Sequence, residues 1–238
     1  MKVSKLVAFD VKRIISSWLL YLALGLSFLA AFGIAYSIKH LSGPFTMSHI
    51  TSFYAMFGSI FSAVIGMRLF SVDLSSETIS LLLNTKTNRV KYGLSKMIGF
   101  GIVGLIFGIA CAVTVYITKI YTGVDVEQML YWKSILNYVL FTMFYAALFF
   151  TISLFYRKVT VLFVVAVLAV SFLPNLLDTL LQADLPAFLA SSIEHLPLYF
   201  FPIYIGSHNL ELLQYGVVFG SIALLAVLSF TFIQKQDY

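Results

Sequence analysis

The chain has 238 residues, of which 61% are hydrophobic, 16% aromatic and only 11% charged, against roughly 25% charged residues in an average soluble protein. That composition excludes a water-soluble enzyme, a disordered chain and a disulfide scaffold, and makes lipid the solvent for much of the molecule. The net charge of +5 does not point to nucleic acid, because the Lys and Arg residues flank apolar runs, where they orient spans against a membrane.

Residues 1–17 are too polar to cross a bilayer. At 100° per residue Val3, Val7, Val11 and Ile14 share an arc that continues into Trp18, with Lys2, Lys5, Lys12 and Arg13 on the other side. This predicts an interfacial elbow helix, apolar side in acyl chains and amines toward headgroups, with a solvated basic tail as the alternative. Phe9 breaks the pattern. Residues 18–238 then read as a single transmembrane domain. Uncharged runs extend from Trp18 to Ile38 and from Ile50 to Met67, each above the roughly 17 residues that a spanning helix needs.

Residues 73–91 interrupt the series. Leu74, Thr78, Leu81, Leu82 and Thr85 recur at three- and four-residue spacing, with Asp73 and Glu77 in what reads as a first turn, where a helix favours negative charge. The pattern predicts a short amphipathic helix, a polar turn from Asn84 to Asn88, and a basic approach to the third span. Such a surface suits docking of a soluble partner; a simple interfacial connector is the alternative.

The same residues resemble the first coupling helix of ABC-2-type ABC transporter permeases, whose usual form is close to E-x-x-x-G-T-L-E-L-L-L-x-T-P-x-x-R. Here Asp73, Thr78, Leu81, Leu82, Leu83, Thr85 and Arg89 match, while Glu77 stands at the glycine and Lys86 at the proline. The order of the other elements is similar to that family as well: basic amino-terminal helix, six spans, a short Tyr156-Arg157-Lys158 turn, and a Phe232-Ile-Gln-Lys235-Gln-Asp237 ending.

The remaining uncharged runs are Met97 to Thr118, Ser134 to Tyr156, Val159 to Leu177 and Leu212 to Gln234, giving six in all. The stretch from Leu173 to Asn209 holds four of the five prolines, Pro174, Pro186, Pro197 and Pro202, among aromatics. That stretch is too apolar for a solvated loop and too interrupted for a straight span. Residues 182–209 are expected to form two short elements dipping part-way into the membrane, or a surface loop pinned by Tyr199, Phe200, Phe201 and Tyr204. By resemblance they are re-entrant helices closing the outer end of a pathway, with Pro186, Phe188, Pro197, Tyr199, Phe200 and Pro202 as outer-gate residues.

Twelve of the 15 Lys and Arg residues fall on the amino-terminal side of the membrane and three, Lys39, Lys119 and Lys133, on the other. Both termini are therefore expected in the cytoplasm of a multi-pass plasma-membrane protein. Small residues step down the helices at fourfold spacing: Ala23, Ser27, Ala31 and Ala35; Gly58, Ser62 and Gly66; Gly104, Gly108 and Ala112; Gly216 and Gly220. Each row permits close helix approach within a subunit or between subunits. No Walker A, HExxH or GxSxG motif is present; His40, His49, His195 and His208 lack metal-ligand spacing and read as solvated, and Cys111 as a small buried hydrophobe.

These features predict an all-α integral membrane protein with no catalytic or metal-binding residue. The resemblance implies the permease subunit of an ATP-driven exporter. ATP and Mg would sit on a separate ABC ATPase, coupled through Asp73, Glu77, Thr78, Leu81, Leu82, Thr85, Lys86 and Arg89, with Arg157 and Lys158 as a second contact. It also implies a second permease copy or homologue. Aromatic-rich spans without ionisable groups suit an amphipathic or lipophilic cargo, and the lack of a large outer domain resembles short Gram-positive exporters of antimicrobial or cytolytic peptides, including the phenol-soluble modulin exporters. A non-transporting accessory or immunity protein, and an ion-coupled carrier, are the alternatives.

Overall fold

The structure, a computed structural model, describes residues 2–41, 44–75, 83–156, 158–183 and 185–235. Among them are ten helices: α1 Val3–Ile15, α2 Trp18–His40, α3 Met47–Leu74, α4 Lys86–Thr122, α5 Gln128–Phe155, α6 Val159–Ser171, α7 Leu173–Leu181, α8 Ala187–Glu194, α9 Pro197–Tyr204 and α10 Leu212–Lys235. Five (α2, α3, α4, α5 and α10) are long and apolar enough to cross a membrane, and the bent pair α6–α7 makes a sixth if counted as one span. The architecture is that of an all-helical, multi-pass membrane protein.

Local chemistry sets the helix ends. Thr85 precedes α4 and its hydroxyl accepts from the Asn88 amide at 3.2 Å, satisfying one of the amides a helix start leaves unpaired. The far end stops at Gly123, whose φ of +73° suits the left-handed cap while its N–H reaches Lys119 O at 2.8 Å. At 37 residues, α4 rises about 55 Å, far more than the roughly 30 Å of a hydrocarbon core. The basic approach to the third span is therefore helix, and Lys86 to Asn88 form its first turn rather than the end of a polar turn.

The fifth expected span, Val159 to Leu177, breaks at Phe172, where α6 and α7 meet at 42°. Pro174 lies in the first turn of α7, and a proline that cannot donate to the preceding turn bends a helix there.

The core lies where α3, α4 and α5 meet. Phe70, Phe100 and Phe150 are fully buried with ring centroids 5.1 to 6.3 Å apart. Gly104 and Gly108 of α4 press against α5: a Cβ at Gly104 would lie 2.6 Å from Val139 Cα, and one at Gly108 2.7 Å from Ile135 Cα. Gly58 and Gly66 of α3 abut Tyr138 and Ala146 of α5, and Ala23, Ser27, Ala31 and Ala35 of α2 are fully buried. Three of the four small-residue rows thus serve packing within the chain, where contact between backbones replaces the hydrophobic drive that lipid cannot supply. Gly216 and Gly220 face open space.

Candidate functional site

The residues on either side of segment 76–82 are fastened to the two ends of the chain. Asp73, expected in the first turn of a separate amphipathic helix, instead lies in the last turn of α3, because that helix runs on from the second span without a break. A carboxylate there opposes the helix dipole. Two cations offset it: Arg13 Nη1 of α1 donates to Asp73 Oδ1 at 2.7 Å, and Lys96 Nζ of α4 lies 2.8 Å from Asp73 Oδ2. The Tyr92 hydroxyl donates to Asp73 Oδ2 at 3.2 Å.

Lys96 also holds Asp10. Its ammonium lies 2.8 and 2.9 Å from the two carboxylate oxygens, and the residues are only 3% and 1% exposed. Burial pushes the Asp10 carboxyl above its ordinary range; the charge and hydrogen bonds of Lys96 pull it back, and Asp73 adds a smaller upward push. One ammonium thus bridges α1 to the end of α3, and it also lies over the Tyr92 ring, Nζ 4.9 Å from the centroid.

This corrects the expected division of α1. Asp10 and Ile14 are its buried residues, and Arg13 turns inward to Asp73 and also donates to the Arg68 carbonyl, whereas Phe9 is 61% exposed. Asp10 carries no amphipathic signal, yet it is the sole acidic residue before Asp73.

At the other flank, Leu83 is fully buried. Arg89 Nε donates to Leu83 O at 2.8 Å and Arg89 Nη1 to Gln234 O, in the last turn of α10, at 3.0 Å. Lys86 lines a groove against Val227, Phe230 and Gln234 of α10, and the close approach is marked by Gly93, where a Cβ would lie 2.6 Å from Phe230 Cε1. Thr85 and Lys158 are exposed helix caps. Glu77, Thr78, Leu81, Leu82 and Arg157 lie outside the described residues, as do Gln236 and Asp237 of the carboxyl end.

The six residues expected at an outer gate divide. Pro197 and Phe200 are buried, with Phe201 against Phe141 at 5.3 Å between centroids. Tyr199 donates to Asp178 of α7 at 3.1 Å, and Pro202 lines a groove with Ser52, Met56 and Val170. Pro186 is exposed and Phe188 is 80% exposed, on a helix with no buried residue. The structure brings α9, not α8, into the bundle.

His208 is the further correction. Rather than solvated, it is 1% exposed, at φ +56°, with Nε2 3.0 Å from Ser134 Oγ and Nδ1 3.2 Å from Asn137 Nδ2. Asn137 Oδ1 accepts from Tyr215 at 2.7 Å, so the ring ties the α9–α10 connection to α5 and α10. Burial, with a smaller contribution from Lys133, lowers its pKa from 6.5 to about 4. The residue spacing, 74 and 71 positions from its partners, leaves no local sequence signal.

The chain matches no protein-family model and no curated protein.

Proposed function

We propose that this chain is the membrane-spanning subunit of an ATP-driven ABC-2-type exporter, with both termini in the cytoplasm, working beside a second permease copy or homologue. The observation that carries the reading is the fastening of both flanks of segment 76–82. Asp73 is tied through Lys96 and Arg13 to α1 and α4, and Leu83 and Arg89 are tied to α10. Movement at either flank of this segment would be carried by these ties to α1, α4 and α10. That is the mechanical requirement for converting movement of an external ATPase into a tilt of the spans, with α9 and its neighbours as the outer closure. The cargo in this reading is amphipathic or lipophilic, a peptide toxin, antimicrobial peptide or drug.

Purification in mild detergent identifies the ATPase that accompanies the chain, and reconstitution in liposomes tests the coupling. The expected result is neither ATP hydrolysis nor concentrative transport by the chain alone, and both once the ATPase is added. A second reading, an ion-coupled carrier, draws on the buried Asp10–Lys96 pair, since buried ionisable groups serve proton and ion relays. Uphill transport by the chain alone on a proton or sodium gradient would favour it and overturn the exporter reading. A stable chain that binds no ATPase would favour the accessory or immunity reading.

A further inference from the structure

Beside Arg13 of the ion cluster, an open groove of about 360 Å³ runs between the α1–α2 elbow and α3. Its two arginines differ in kind. Arg13 is neutralised by Asp73. Arg68 is exposed, forms no ion pair among the described residues, and has Ser17 Oγ at 3.5 Å as its side-chain contact. Around it the groove has two chemistries. Ser16 and Ser17 stand at the amino end of α2, while Ile65, Leu69 and Val72 supply an apolar floor, and Trp18 at the rim is 70% exposed.

A cation with no counter-charge among the described residues, hydroxyls beside it, and an apolar floor leading away together describe the complement of an anionic amphiphile. The exposed Trp18 fixes the level, because tryptophan concentrates at the headgroup boundary of a membrane. A guanidinium there pairs with a phosphodiester through planar donors that an ammonium lacks. A free phosphate satisfies the polar end but leaves the floor unfilled, and a zwitterionic lipid brings a second cation toward Arg68. We infer that this groove holds an anionic phospholipid of the phosphatidylglycerol class, its phosphate on Arg68 and the Ser17 hydroxyl and one acyl chain along Ile65 and Val72. The bound lipid lies against Arg13, so it abuts the same joint that fastens Asp73; the inference rests on the membrane location and not on the exporter reading.

Native mass spectrometry of the purified chain, with phosphatidylglycerol and phosphatidylcholine of matched acyl chains, tests this. The parent should retain phosphatidylglycerol in preference to phosphatidylcholine. Arg68→Gln should retain about fivefold less, the effect expected of one basic side chain at a lipid surface, with phosphatidylcholine unchanged. Lys12→Gln, an exposed charge outside the groove, should match the parent. Val72→Trp keeps both arginines and fills the floor, so it should lower retention too. Equal losses in Arg68→Gln and Lys12→Gln would replace the site by diffuse attraction. Unchanged retention in Arg68→Gln and Val72→Trp, or displacement of the lipid by millimolar inorganic phosphate, would overturn the proposal.

Discussion

Lys96 Nζ lies 2.8 Å from Asp10 Oδ1 across 86 positions of sequence, and both side chains are almost fully shielded. Removing such charges from water is costly, and the cost is recovered only when each is paired and hydrogen-bonded. Here each carboxylate oxygen of Asp10 faces the ammonium, and Asp73 with Arg13 completes an alternating chain of charges.

Breaking one member should therefore cost more than removing the pair. Lys96→Met strands Asp10 and is expected to destabilise by about 3–5 kcal/mol, whereas the double variant Asp10→Leu/Lys96→Met should recover most of that loss. Thermal unfolding in detergent measures both. A double variant as unstable as the single would show that geometry other than pairing holds α1 in place.

Gly104 and Gly220 should respond oppositely to bulk. A side chain at Gly104 meets the α5 backbone at 2.6 Å, where nothing flexible gives way, while one at Gly220 meets nothing within 4 Å. Gly104→Val should lose several kcal/mol through forced separation of α4 and α5, and Gly220→Val should fold as the parent does. Expression and melting of the two variants decide this. Equal behaviour would mean α4 and α5 are not packed as described.

Much of this arrangement follows from local pattern, and the part that does not has a common cause. The spans are legible because each is an uninterrupted apolar run, and the bend at Phe172 is foreshadowed by Pro174. The fourfold spacing of Gly104 and Gly108 marks a close approach, but not the neighbour: the same spacing at Gly216 and Gly220 faces open space. Periodicity sorts α1 by hydrophobicity and so places Arg13 outward, although its partner Asp73 lies 60 residues away. Ion pairs and buried imidazoles are decided by tertiary distance, which no window of sequence contains.

The proposed orientation rests on the basic asymmetry and is checked at two exposed positions, Thr87 in the first turn of α4 and Ser192 in α8. In a Cys111→Ser background, single cysteines are placed at these sites in intact cells. An impermeant maleimide should label position 192 and spare position 87. The reverse pattern would invert the protein.

His208 should make stability depend on pH in a defined direction. Burial disfavours the imidazolium, so the folded chain holds this ring neutral down to about pH 4, while the unfolded chain protonates it near 6.5. Between those values the unfolded state binds more protons. Stability contributed by the neutral ring is thus complete above 6.5 and is lost as pH falls toward 4, by about 3 kcal/mol over the full interval. His208→Asn has no titrating ring, and asparagine tolerates the left-handed backbone at φ +56°. Melting in detergent, stepped from neutral pH down to about 4, should bring the parent progressively closer to the variant. Parallel curves would mean the ring reaches water and titrates in the folded chain as it does in the unfolded one.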